Sequence, residues 1–220
     1  MQKFELDYAD MIRHVMTLGS TDGDIKHLIG MFLEVPVFTT FPLIQGRELN
    51  AFPVVSELAR MIRQKSAPTP TAGRLDLGQG EIWRDQIEKL WANKDIGTGI
   101  RMCELYFVRG TINMVWNVKS MDLMQELPSV IVFSAAWLIA VAKDYDMAVG
   151  SISYSIGKGY IQKQHMIPAQ IYINAVDDAP QYPYVAYTHT PEKGTSCLQF
   201  EPNHLQLGNY THLPKIKGLK

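Results

Sequence analysis

Apolar residues recur at helical spacing between Tyr8 and Leu18, where Met11, Ile12, Val15, Met16 and Leu18 fall near one face and Gly19 supplies a stop. This pattern predicts an amphipathic helix. STDGDIK at 20–26 is rich in turn-formers, and LIGMFLEVPVF after it reads as a strand in which Pro36 marks an edge or a bulge. From Ala51 onward, Val54, Val55, Leu58, Met61 and Ile62 repeat at threes and fours, the stripe of a helix packed on a sheet. That helix is expected to end before QKSAPTPTAG, which reads as a surface loop rather than a domain boundary. Ile82 to Trp91 predicts a further helix. IRMCELYFV and TINMVWNVKS flank Arg109-Gly110 and predict a hairpin, with Ile112, Met114, Trp116 and Val118 on one face and Asn113, Asn117 and Lys119 on the other. After Pro128, VIVFSAAWLIAVA predicts the most buried helix; ISYSIGKGYIQKQH and a β-rich, proline-punctuated tail follow. The order implies an α+β fold, helices packed on a largely antiparallel or mixed sheet, in a single domain over 1–220. The sequence holds no internal repeat and no low-complexity tract.

Composition narrows the function classes. Lys+Arg at 21 against Asp+Glu at 22 leaves a net charge of −1, so no overall basic field draws in nucleic acid or an anionic membrane. With 46% hydrophobic and 20% charged residues the chain should fold around a core. The longest apolar stretch, Val130 to Ala142, contains Ser134 and falls short of the roughly 20 residues that span a bilayer. Two cysteines, Cys103 and Cys197, lie far apart without CxxC spacing, which points to a reducing compartment, with the cytosol as the expectation. The N-terminal MQKFELDYAD carries acids where a secretory signal has a basic region. Neither HExxH nor GxGxxG nor GxxxxGK[ST] occurs, so the motifs offer no zinc site and no glycine-rich phosphate cradle.

Six segments, in order, resemble those of the thymidylate synthase and pyrimidine-nucleotide hydroxymethylase superfamily. YADMIRHVMTLG is similar to its opening helix, and Gly30 precedes FPL at 41–43 as the family's strand glycine does. FPLIQGRELNAFPVVSELARMI resembles its FPL…EL segment, with Glu57 at the family's glutamate. WNVKSMDLMQELP is similar to YQRS-x-D-x-x-x-G-x-P, SIGKGYIQKQH to GD-x-H-x-Y-x-N-H, and LQLGNYTHLPKIKG to the closing F-x-I-x-GY-x-x-H-P-x-IK. The resemblance implies a thymidylate synthase-like α+β fold, a pyrimidine nucleotide monophosphate as substrate, 5,10-methylenetetrahydrofolate as one-carbon donor, and a homodimer formed sheet against sheet. Neither nucleic acid nor membrane is an expected partner.

Chemistry in that family begins with a thiolate adding to C6 of the pyrimidine, which turns C5 into a carbon nucleophile. Relatives carry this cysteine six residues before the aromatic pair of the hairpin's first strand, and counting back from Tyr106 gives Ile100. Cys103 lies three residues nearer, so straight alternation turns it to the opposite face unless a bulge intervenes. Lys119 takes the place of the YQRS arginine, a point charge where relatives have a bidentate fork. No counterpart exists for the arginine that precedes the family's glycine- and threonine-rich run, or for its paired partner-reaching arginines; Arg101 is the other cation near the expected phosphate. Valine stands at position 130, where relatives have a base-reading asparagine.

Glu57 falls beside its helix's apolar stripe and is the candidate for proton relay to a pyrimidine carbonyl. By resemblance Asp122, Tyr160, Gln162 and Tyr210 would contact the nucleoside, although a turn role for Asp122 and a packing role for Tyr210 fit their residue types equally. Two readings stay open. In one the chain transfers a one-carbon unit, as methyl or hydroxymethyl, to C5 of dUMP or dCMP, with Glu57 and Cys103 as catalytic groups and Lys119, Arg101, Asp122, Tyr160, Gln162 and Tyr210 as substrate contacts. In the other it is an inactive or repurposed nucleotide-binding or scaffold homologue that lacks the nucleophile.

Overall fold

The computed structural model describes residues 3–38, 40–65, 100–178, 184–190 and 199–219, with the side chains of 61–65 and 100–102 outside that set. The expected helix at Ile82–Trp91 and most of the loop at 64–73 lie outside the described residues. Helix α1 (Lys3–Leu18) buries Phe4, Tyr8, Met11, Ile12 and Val15, and the Gly19 N–H closes it by donating to the Val15 carbonyl at 3.1 Å. Strands β1 (Ser20–Asp22) and β2 (Ile25–Pro36) form an antiparallel pair. Helix α2 (Ala51–Lys65) follows; Val55 and Leu58 of the predicted stripe are buried, Val54 is half-buried, and Ala59 is buried with them.

Beyond α2 come β3 (Ile100–Val108) and β4 (Thr111–Asp122), joined at Arg109-Gly110 with φ of 48° and 82°. Both central residues have positive φ, the turn that matches the twist of a tight hairpin. Helix α3 (Leu127–Asp144) then crosses over to β5 (Ala148–Gln162), which runs parallel to β4. The sheet order is β1-β2-β5-β4-β3, antiparallel at every other pairing, so the expected mixed sheet is present. Helix α3 is apolar enough to pass for a membrane span by composition, with a hydropathy of 1.5, yet 83% of it is buried inside the fold. Its Trp137 meets Trp116 of β4 edge-on with ring centroids 6.3 Å apart.

The tail departs from the sequence reading. MIPAQIYINAVD forms helix α4 (Met166–Asp177), not strand. Ala169, Tyr172, Ile173 and Val176 share its buried face, and Pro168 sits in the first turn, where a missing N–H leaves no intrahelical bond unmade. Only β6 (Ala186–His189) and β7 (Leu205–Gly208) are strands among the described residues of the tail, and they pair with each other.

One feature of the sheet decides where the polar side chains go. Over Met31–Val35, Ile112–Val118 and Ile152–Ile156, alternate residues are buried under the helices. Further along, Leu28 packs on the core and Met121, Gly159 and Ile161 are buried, an odd step from Met31, Val118 and Ile156 in each strand. The alternation therefore slips by one across β2, β5 and β4, at Gly30, Gly157 and Lys119. Gly30 has φ of 72°, and a Cβ on Gly157 would lie 2.9 Å from the Lys119 carbonyl oxygen, so both positions need glycine. Strand β3 slips too, between Ile100 and Met102.

Candidate functional site

Past the slip, the register places His27 of β2 opposite Tyr160 of β5, and Tyr160 beside Asp122 of β4. Paired residues share a face, so these three side chains form one rung across three strands. It lies on the face opposite Leu28, Ile161 and Met121. Asp122 is 1% exposed; its Oδ1 accepts the N–H groups of Met124 and Gln125 at 2.8 and 3.0 Å, while Oδ2 is buried without a partner. The carboxylate thus shapes the turn between β4 and α3 and still presents one free acceptor. Burial, with the Glu126 and Asp122 charges nearby, pushes the Tyr160 hydroxyl up to about 12. It is a neutral donor at physiological pH.

Gln162 follows on the same face of β5, opposite Ile25, and its Oε1 accepts a bond from Gln164 at 2.8 Å. Lys119 stands exposed at the slip, with its carbonyl against Gly157. Arg101 is the extra residue of the β3 bulge, since Ile100 pairs with Val118 and Met102 with Asn117; its side chain lies outside the described residues.

That bulge corrects the straight-strand reading of Cys103. Cys103 pairs with Trp116, and the register position of Ile100 pairs with Val118, two residues on one buried face of β4. Position 100 and Cys103 therefore share a face despite their odd separation. The Cys103 side chain packs against the core cluster, and burial, with Glu104 adding to it, drives the thiol well above its ordinary range. At neutral pH it is protonated, and the thiol is a far weaker nucleophile than the thiolate.

Glu57 and Tyr210 are engaged elsewhere. Glu57, on α2, makes a two-point pair with Arg60 one turn on, at 2.5 and 2.9 Å, with both side chains partly exposed. The Tyr210 hydroxyl accepts the Leu49 N–H at 2.9 Å and lies 3.0 and 3.2 Å from the carbonyl oxygens of Ile44 and Arg47. It pins the loop that carries those residues.

Sequence reasoning missed a buried polar cluster behind the rung. Glu5 Oε1 accepts from the N–H groups of Gln45 and Gly46 at 2.7 and 2.6 Å and from the Tyr172 hydroxyl at 2.9 Å. Arg47, 2% exposed, donates to the Met124 carbonyl at 2.8 Å, and Tyr8 donates to the Leu123 carbonyl at 2.5 Å. Both therefore grip the turn that Asp122 opens. His27 was missed as well. Nothing in its local sequence distinguishes it, and only strand register brings it to Tyr160.

A family model for thymidylate synthase matches residues 79–219, nearly two-thirds of the chain. The chain belongs to the thymidylate synthase family. No curated protein matches the sequence. The matched region holds β3 to β7 with Cys103, Lys119, Asp122, Tyr160, Gln162 and Tyr210, whereas His27 and Glu57 precede it. Members of this family are one-carbon transferases that act at C5 of a pyrimidine, generally with methylenetetrahydrofolate as donor. A cleft of about 460 Å³ lies between α4 and the C-terminal segment. Its wall is apolar side chain from Ile171, Ala175, Leu213, Pro214 and Ile216, with Lys215, Lys217 and Asp178 among its other lining residues. A pterin ring needs paired donors and acceptors in its plane, which this largely apolar wall does not supply, so the cleft does not fit the folate.

Proposed function

We propose that this thymidylate synthase family member binds a pyrimidine nucleoside monophosphate without using Cys103 as a nucleophile. The environment of Cys103 carries the reading: its side chain is packed against the core on the Trp116 face, its pKa is raised by burial, and its sequence neighbour is an acid. Nucleophilic cysteines sit beside cations, so that thiolate forms near neutral pH, whereas the charge next to Cys103 is an acid and its side chain is half-buried against the core. The buried Val130, whose carbonyl takes the Ser134 hydroxyl at 2.7 Å inside α3, supports the same view, since no amide stands there to read a base edge. Nucleotide contacts then fall to Asp122 and Tyr160, with Lys119 as the nearby cation.

The test uses purified protein with dUMP or dCMP carrying tritium at C5, together with 5,10-methylenetetrahydrofolate. No tritium should be released, while either nucleotide should raise Tm, and the shift should shrink in Lys119→Ala. Tritium release that disappears in Cys103→Ser would overturn the proposal. One observation favours a second reading, folate-dependent one-carbon transfer to dUMP or dCMP: the β3 bulge brings Cys103 onto the face of position 100, where relatives carry the nucleophile. Under that reading Glu57 would relay the proton.

A homodimer joined sheet to sheet belongs to both readings. It is supported by the sheet face opposite the helices, where Phe32 is 62% and Tyr106 45% exposed beside Val115 and Ser153. Light-scattering mass in solution tests it, with twice the chain mass expected.

A further inference from the structure

The rung holds more unmet hydrogen-bonding capacity than the fold uses. Two of its side chains have a buried polar atom without a partner among the described residues, Nδ1 of His27 and Oδ2 of Asp122, and the Tyr160 hydroxyl makes no hydrogen bond among them. Strands lie about 4.8 Å apart, so the outer members of the rung stand roughly 10 Å from each other with Tyr160 between them, a span that one nucleoside covers. Polar atoms withheld from water without partners are destabilising, and two of them on one rung, flanking the Tyr160 hydroxyl, point to a ligand that completes them.

Next along the face is the rung Ile29, Lys158 and Ser120, about 7 Å away. Lys158 occupies the position where the GD element of the resemblance has an aspartate, so an anion has become a cation. Its ion pair with Asp22 is long, 4.0 Å, and the aspartate is 74% exposed, which leaves the ammonium available to a stronger anion.

We propose that His27 and Lys158 are substrate-binding residues of this chain: His27 completes the hydrogen-bonding rung with Tyr160 and Asp122 for the nucleoside, and Lys158 takes the phosphate. This inference rests on the nucleotide-binding reading and names the groups that stand in for the family arginines this sequence lacks. The imidazole offers a donor and an acceptor, the tyrosine a donor, and the carboxylate an acceptor for a hydroxyl or ring N–H.

The experiment measures dUMP, dCMP and deoxyuridine binding by titration calorimetry to the full chain and to His27→Ala, His27→Asn and Lys158→Glu, with far-UV circular dichroism checking each fold. Loss of at least tenfold in nucleotide affinity for His27→Ala, with partial recovery in His27→Asn, is expected. For Lys158→Glu the loss should appear with the monophosphates and be under threefold with deoxyuridine. Nucleotide should also move the ¹⁵N signals of the His27 imidazole, a readout that a purely structural histidine would not give. Wild-type binding that both His27 variants and Lys158→Glu leave unchanged overturns this inference and leaves the nucleotide reading standing. Absence of wild-type binding to all three probes overturns the nucleotide reading itself, and with it this assignment.

Discussion

Removing the Glu5 carboxylate is the sharpest test of how the site is held. One oxygen of this fully buried side chain receives three donors, the N–H groups of Gln45 and Gly46 and the Tyr172 hydroxyl. Glu5→Ala strands all three. A buried donor left unpaired costs about 1–3 kcal/mol, so with partial relaxation the loss should reach about 3–6 kcal/mol, a large share of the roughly 5–15 kcal/mol that holds a domain folded. Glu5→Gln keeps an acceptor oxygen in place and removes the buried charge; the two effects oppose, and the variant should lie within about 1.5 kcal/mol of wild type at pH 7. The pH dependence separates charge from shape. Burial raises the Glu5 pKa, with the Gly46 and Gln45 amides and the Tyr172 hydroxyl pulling the other way. The folded chain therefore holds the proton to a higher pH than the unfolded chain does. Stability from this group is full below the unfolded glutamate pKa of about 4.3 and declines as pH rises through the raised folded value. Urea unfolding followed by tryptophan fluorescence between pH 4 and 8 measures it. Wild type should lose stability relative to Glu5→Gln across that window. A Glu5→Ala variant within 1 kcal/mol of wild type, or a difference of the opposite sign, refutes the reasoning.

Two further substitutions probe the same architecture. Tyr210→Phe leaves the Leu49 N–H without its acceptor and should destabilise by about 1–3 kcal/mol; dUMP affinity should stay within twofold, and a larger loss in calorimetry would restore a direct ligand role to Tyr210. Gly157→Ala drives a Cβ to 2.9 Å from the Lys119 carbonyl oxygen, backbone that cannot swing aside. It should lower stability by about 1–3 kcal/mol and weaken dUMP binding more than tenfold, because the slip that orients Tyr160 starts there; unchanged binding in a folded variant would detach the rung from the kink.

Elements with one clear period were legible in the sequence. Most of the residues that spacing selected are buried, Met11, Ile12 and Val15 in α1, Val55 and Leu58 in α2 and the apolar run of α3, although Leu18 at the end of α1 is 71% exposed, and Arg109-Gly110 turns the hairpin where the two strands predict it. Helix α4 was not legible, because Ile167, Ile171, Tyr172 and Ile173 favour strand locally and Pro168 reads as punctuation. What decides its conformation is tertiary: Tyr172 reaches Glu5 on α1, and Tyr8 packs on the Tyr172 ring with centroids 5.5 Å apart. The roles of Asp122 in a turn and of Tyr210 in packing were open alternatives from residue type alone, and each shows its side chain so engaged.

The candidate site was the least legible part, for a reason that lies in the sheet rather than in any motif. Side-chain direction in a strand is a parity, and one inserted residue reverses it for everything beyond. Carried on from Ile156 without a break, alternation would turn Tyr160 inward under the helices, and carried on from Val118 it would do the same to Asp122. The slip at Gly157 and Lys119 turns both out onto a common face, and the matching slip at Gly30 brings His27 with them. In β3 the same displacement, at Arg101, works in the other sense: it carries Cys103 onto the packed face with Trp116. A sheet whose alternation slips in step across three strands and bulges in the fourth thus gathers polar groups at one end while its thiol packs against the core at the edge. The proposed role, holding a nucleotide rather than attacking one, rests on that arrangement of the register.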